Sequence, residues 1–310
     1  MARSHDTRSA ARQRQAITGE SYTQALRQVL QQQAQRQAWT VPGLIRRQDR
    51  IILSGPAGVG KTQLLQQIAV LLATGLHPFT IQPIMPVQVL LVDVETPAGR
   101  LRQQLQIISD SCRPGPGLAL AAPPAQAVAP ADLQIRTGPV SAWPEPAGLL
   151  SPSRLVPDGM GGQLEVLSWP EGADLLRPGS DQRQQLAQTI EQHHPAIVIL
   201  GPVYRLCRGD FADEETTRQL VELLNSWRTG HNCALVLEAH NGRPGRERPY
   251  GSSLWLRWPE MVLSLRPVDT GQDGPAVCDL VRPRAARQSA AGWPSRLYRQ
   301  GQLWLGADEH

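Results

Sequence analysis

Apolar residues along the chain fall into short unbroken runs, separated by longer segments in which they recur every three or four positions. The unbroken runs are Ile51 to Leu53, Ala196 to Leu200 and Cys233 to Leu237, and two more strand-like segments, Val87 to Asp93 and Leu164 to Ser168, are interrupted by Gln88 and Glu165. A continuous apolar run of about five residues predicts a strand covered on both faces. The segments between them predict helices over Lys61 to Thr74, from just beyond Glu95 with Pro97 in the first turn and Leu101, Leu105 and Ile108 on one face, over Ser180 to His193, and over Asp213 to Thr229. Strands alternating with helices give a mostly parallel sheet with helices on both faces and ligands at the strands' carboxyl ends. Three later runs, Met261 to Leu265, Ala276 to Val281 and Leu297 to Leu305, follow one another without a helix and predict antiparallel strands at the sheet edge.

Two stretches break this pattern. Residues 1–38 are polar and rich in Gln and Arg, with Tyr22, Leu26, Val29 and Leu30 at helical spacing. They read as a basic arm: an amphipathic helix over 21–37 behind a disordered lead-in, and not a transit peptide. Residues at about 112–163 are crowded with Pro, Ala and Gly and have no periodicity, so they read as a flexible insertion in which Leu133-Gln-Ile-Arg is the one piece with strand character. The expected organisation is the arm, 1–38, and one α/β domain, 39–310, that carries the insertion.

Composition adds limits. No apolar run has the length of a membrane span, and the N-terminus lacks the apolar core of a secretory signal, so the expected location is cytoplasmic. Cys112, Cys207, Cys233 and Cys278 are scattered without a C-x-x-C pair and read as buried thiols, not as a disulfide or zinc framework. Basic residues concentrate at the two ends, nine Arg against three acids in 1–50 and ten Arg against seven acids in 243–310. Such clusters suit a phosphate backbone and suit solvated faces equally.

The chemistry lies at the end of the first strand. Gly55-Pro-Ala-Gly-Val-Gly-Lys-Thr62, followed by Gln63, has the spacing G-x-x-x-x-G-K-T in its required strand, loop and helix setting. Glycines at Gly55, Gly58 and Gly60 let backbone N–H groups curl around a phosphate, and the helix N-terminus adds partial positive charge. Residues Gly55, Pro56, Ala57, Gly58, Val59, Gly60, Lys61, Thr62 and Gln63 are therefore the ATP-binding candidates, with Lys61 on the β- and γ-phosphates and the Thr62 hydroxyl on Mg2+. Lys61 is the only lysine in the chain; the other 30 basic residues are arginines.

The order of motifs that follows resembles the RecA-like ATPases, and within them the DnaB/RepA-like helicase branch. In the former a glutamate leaves the strand beside the P-loop. By that resemblance Glu95, in Asp93-Val-Glu95, is the general base and Asp93 a partner of Mg2+; the bland alternative is a pair of helix-capping acids. Ala196-Ile-Val-Ile-Leu-Gly-Pro-Val-Tyr-Arg-Leu resembles the Walker B strand of that branch, but Gly201 stands where the aspartate belongs. Asp93, Glu95, Asp210 or Asp213 would then take over, or the chain binds ATP and turns it over slowly. In Leu237-Glu-Ala-His-Asn241 the resemblance makes Glu238 and His240 candidates for sensing the γ-phosphate, against the alternative of a solvated strand end. The segment Arg248-Pro-Tyr-Gly-Ser-Ser is similar to the one following the DNA-facing loop in these ATPases, which makes Arg243, Arg246 and Arg248 nucleic-acid candidates. Trp255 and Trp258 read as core residues. In Leu280-Val-Arg-Pro-Arg284, Arg282 and Arg284 match the interface arginines that reach a neighbouring subunit's ATP, with Arg284 as the catalytic finger; ordinary surface arginines are the alternative.

The resemblance thus implies a RecA-like P-loop NTPase of the AAA family type. It would be a Mg2+-dependent ATP hydrolase and DNA helicase acting on single-stranded DNA in replication or repair, assembled as a homo-oligomeric ring, a hexamer. Two alternatives remain: a nucleotide-dependent regulatory or loader ATPase without unwinding, and a weakly hydrolysing ATP-binding scaffold.

Overall fold

The computed structural model describes residues 12, 14–15, 18–28, 39–112, 162–242, 248–271, 274, 276–285 and 292–306, and the backbone of 135–137. After a short hairpin of β1 (Trp39–Val41) and β2 (Ile45–Arg46), the chain enters β3 (Arg50–Ser54), turns through the glycine loop and continues as α1 (Lys61–Thr74). Then come β4 (Val89–Asp93), α2 (Ala98–Ser111), β5 (Ile135–Thr137), β6 (Leu164–Ser168), α3 (Asp181–His193) and β7 (Ile197–Gly201). They are followed by α4 (Glu214–His231), β8 (Ala234–Glu238), the single turn α5 (Leu254–Arg257), β9 (Met261–Val268), β10 (Val277–Ala285), β11 (Arg296–Gln300) and β12 (Leu303–Gly306).

Among the described residues the sheet has ten strands in the order β12-β11-β10-β9-β3-β8-β7-β4-β6-β5. Every pair from β9 through β3 to β5 is parallel, whereas β9–β10, β10–β11 and β11–β12 are antiparallel. The expected mostly parallel sheet with an antiparallel C-terminal edge is therefore present, with two adjustments. The run at Met261 is not antiparallel to everything around it, because β9 lies parallel to β3 on its other side. The run Leu297 to Leu305 is two strands, since Gly301 turns the chain with φ 60° between them.

The strand residues alternate between two cores, as period-two geometry requires. Ile51, Leu53, Leu91, Ile199 and Val236 pack on one face with Leu64, Ile68 and Leu72 of α1 and Leu101, Leu105 and Ile108 of α2. Ile52, Leu90, Val92, Val198 and Leu235 pack on the other with Leu186 and Ile190 of α3 and Leu220 and Leu224 of α4. Truncating one such residue to alanine costs about 2–5 kcal/mol. Trp255 and Trp258 belong to the second core, as expected, with Trp255 stacked on Phe211 at 4.9 Å between ring centroids.

Helix ends follow local chemistry. Ser180 caps α3 by accepting from the N–H of Arg183, and Asp213 caps α4 by accepting from Thr216. Pro97 sits one position earlier than expected, as the residue before the first turn of α2. All four cysteines are buried.

The helix expected over 21–37 is described over 22–28, where Ala25 is covered by Tyr22 and Leu26 and Arg14 pairs with Glu20 at 2.6 Å. Its remainder and most of the insertion lie outside the described residues. The strand character near Leu133 is realised as β5, parallel to β6 at the sheet edge.

Candidate nucleotide site

The carboxyl ends of β3, β8 and β4 converge around the N-terminus of α1. The loop makes its turn through Gly58 (φ 76°) and Gly60 (φ 98°), left-handed conformations that favour glycine. At Gly60 space is limiting too, because a β-carbon there would stand 3.0 Å from the ring of Trp304. Helix α1 opens with no capping side chain and no acid in its first turn, which leaves its amide dipoles directed at the loop.

Lys61 is only 3% exposed. Its ammonium donates to the carbonyl of Pro56 at 2.8 Å and lies 3.5 Å from Nδ1 of His240. Burial holds its pKa below the ordinary lysine value, and the carboxylates of Glu238 and Glu95 oppose that shift. The Thr62 hydroxyl is hydrogen-bonded to Glu238, 2.9 Å from Oε1 and 3.0 Å from Oε2.

Glu238 ends β8, the strand directly beside β3. It is 3% exposed, so the solvated strand end weighed from the sequence is not what the fold builds here. Burial lifts its carboxyl to about 7, although the Thr62 hydrogen bond and Lys61 pull down; Glu95 and Asp93 add further upward pressure. His240 is half-buried and held below the usual imidazole value, first by desolvation and then by Lys61.

Glu95 follows β4. That strand is not beside the P-loop strand as the resemblance implied, since β8 and β7 lie between β4 and β3. Glu95 nonetheless faces the same site. It accepts a short hydrogen bond from the phenol of Tyr204, and its charge acts on Lys61, Glu238 and His240. Tyr204 packs edge-on against His240 at 5.4 Å. Its phenol is pushed up to about 12 by burial and by the Glu95 carboxylate. In the sequence Tyr204 is only the tyrosine of the motif from Ala196 to Leu206, with no role attached to it.

Asp93 is 3% exposed, and its Oδ1 accepts from the N–H groups of Glu95 (2.9 Å) and Thr96 (2.7 Å). It therefore shapes the turn leaving β4 without capping α2, whose N-terminus carries no side-chain cap. Asp210 and Asp213, two of the carboxylates considered as stand-ins at position 201, are exposed and committed to the local turn before α4: Asp210 accepts from Ala212 N and Asp213 from Thr216.

The remaining candidates lie apart. Arg282 and Arg284 lie in β10, two strands from β3: Arg284 pairs with Val262, level with Ile52, and Arg282 follows Val281, which pairs with Ser264, level with Ser54. Both are exposed; Arg282 donates to the Trp293 carbonyl and Arg284 to that of Leu256 at 2.8 Å. Arg248 is exposed, whereas Arg243 and Arg246 lie outside the described residues.

Comparison with known proteins places this geometry in context. A family model described as an AAA domain (AAA_25) matches residues 20–132 and 158–246, and the gap between its two parts falls inside the insertion. Among solved structures, a KaiC-like protein from the hyperthermophilic archaeon Pyrococcus horikoshii OT3 is similar at 11% identity with a TM-score of 0.48, covering 84% of this chain and 90% of that one. No curated protein matches. No described helix is long and apolar enough to cross a membrane.

Proposed function

The chain belongs to the AAA domain family, and from that premise we propose that it is a RecA-like ATPase that binds ATP with Mg2+ at residues 55–63 and hydrolyses it. The observation that carries this reading is the convergence of Lys61, Thr62, Glu238, His240 and Glu95 at one end of the sheet. Loop amides, the α1 N-terminus and Lys61 supply positive potential for the phosphates. The Thr62 hydroxyl fits a metal partner, since it faces a buried carboxylate. Mg2+, when bound, offsets charge on the phosphate oxygens.

Glu95 is the general base of this reading. It takes a proton from the attacking water as the water oxygen bonds to the γ-phosphorus, and the bond to the bridging oxygen breaks with its electron pair leaving on ADP. Tyr204, through its hydrogen bond, is a positioning residue for that carboxylate. Phosphate release from the wild type should exceed that from Lys61→Ala and Glu95→Gln by roughly 10²-fold or more. Equal background rates in all three would contradict the assignment.

The finer reading is a DnaB/RepA-like helicase type acting on single-stranded DNA as a ring, a hexamer, in replication or repair. It is supported by the place of Arg282 and Arg284, which are exposed on β10, two strands from β3, and so suited to a neighbour's nucleotide. Light scattering with ATP, Mg2+ and single-stranded DNA should give an oligomer, and a monomer would contradict the ring.

A further inference from the structure

Position 201 ends β7 and is where the motif resemblance calls for an aspartate. The fold leaves no room for one. A β-carbon built on Gly201 would lie 2.3 Å from Cβ of Glu238 and 3.1 Å from its Cα, distances that demand movement of buried backbone between two central strands. The space that a side chain at 201 would use belongs to Glu238.

Glu238 in turn directs both carboxylate oxygens at the hydroxyl of Thr62, the P-loop group that stands beside the metal in P-loop ATPases, where an acid from another strand of the sheet completes the pair. A second observation at the same place points to a ligand. Asp93, the residue paired with Gly201 across β4 and β7, keeps Oδ2 buried and without a hydrogen-bond partner among the described residues. Oδ1 is already used by two backbone N–H groups. Glu238 and Glu95 act on the ammonium of Lys61, and Asp93 and Glu95 act on Glu238, so negative charge gathers beside the Thr62 hydroxyl, where a divalent cation held together with phosphate oxygens would offset it.

We propose that Glu238, from β8, supplies the metal-supporting carboxylate that related ATPases carry on β7, and that Gly201 is glycine because Glu238 occupies that space. The carboxylate has moved one strand toward the P-loop, and its extra methylene belongs to a residue rooted next to β3. Gly201 then marks a relocation of the acid and not a loss of metal support. This inference rests on the proposed nucleotide site and assigns the residue that couples nucleotide to metal within it.

The test is calorimetric titration with the non-hydrolysable analogue AMP-PNP in Mg2+ and in EDTA. Mg2+ should strengthen binding to the wild type, and in Glu238→Gln the ratio of the two dissociation constants should fall by roughly tenfold or more. Gly201→Asp alone should fold poorly. Combined with Glu238→Gly, which removes the obstructing β-carbon, it should recover a cooperative melt and a Mg2+-dependent affinity. This double variant keeps the test open should Glu238→Gln itself fail to fold. An unchanged ratio in Glu238→Gln, a wild type indifferent to Mg2+, or a double variant that folds but shows no Mg2+ dependence would overturn the inference while leaving the nucleotide site standing. A folded wild type that takes up no nucleotide in either buffer would remove both.

Discussion

The side-chain amide of Gln67, in the second turn of α1, is paired with the backbone of Trp304 in both directions: Nε2 donates to the Trp304 carbonyl and Oε1 accepts from its N–H, each at 2.7 Å. The same Nε2 also donates to the Pro78 carbonyl at 2.7 Å. A fully buried glutamine thereby ties β12 to the helix that follows the glycine loop and holds the Trp304 ring against Gly60. Replacement by leucine keeps the bulk and strands a buried N–H and two carbonyls, at a cost of roughly 1–3 kcal/mol for each group left unpaired. Gln67→Leu is expected to lower the unfolding midpoint in urea and to weaken nucleotide binding as the loop loses its backing. Unchanged values for both would show that β12 does not support the loop.

Lys61 combines burial with a short reach to the Pro56 carbonyl and His240, a fit for a compact ammonium. Although the chain uses arginine at all its 30 other basic positions, arginine should fail here. A planar guanidinium is wider and cannot act as a point donor in that space. Lys61→Arg is expected to reduce ATP affinity by roughly tenfold or more with its melting temperature near that of the wild type. Wild-type affinity in this variant would contradict the geometry.

Tyr204 and Glu95 offer a separable pair. Glu95→Gln should retain nucleotide binding and lose roughly 10²–10⁴-fold in turnover. Tyr204→Phe removes only the phenol that bonds Glu95 Oε1, so its turnover should drop by roughly tenfold, at the lower end of what a hydrogen bond to a charged group is worth. With Glu95 already changed to Gln, the Tyr204→Phe change should have little further effect. Additive losses in the double variant would mean that Tyr204 acts elsewhere.

Glu260 joins the start of β9 to the start of β3 by accepting from the Arg50 backbone N–H at 2.7 Å and from its guanidinium. Desolvation works against its ionised form, but the Arg50 hydrogen bonds and charge outweigh it and leave the carboxyl below the ordinary glutamate value. A depressed folded-state pKa stabilises the protein above the unfolded value of 4.5 and loses that contribution as pH falls through the folded one. The wild type should therefore melt higher than Glu260→Gln at about pH 7, with the gap narrowing at about pH 3.5. A gap independent of pH would contradict this assignment.

The strand, loop and helix from Arg50 to Thr74 were legible because phosphate geometry demands glycine and lysine at fixed spacing. Buried central strands such as Ile197–Gly201 announced themselves as apolar runs. What the sequence hid were relations across strands. That β8, not β4, lies beside β3 is a matter of sheet order, which local pattern does not encode. The glycine at 201 looked like a missing group until the strand order placed Glu238 against it. Trp304, far along the chain from Gly60, gave no sign of covering it. The parallel pairing of β9 with β3 was equally invisible, since the run at Met261 reads the same in either direction.

The central claim is that residues 55–63 form a pocket for a nucleoside triphosphate and its magnesium. Calorimetry with AMP-PNP and Mg2+ tests it most directly. The folded wild type should bind one analogue per chain with a dissociation constant of roughly 1–100 µM, a free energy of about −8 to −5 kcal/mol, and Lys61→Ala should release no measurable heat. A wild type that binds nothing at millimolar nucleotide, or a Lys61→Ala variant that binds as the wild type does, would contradict it.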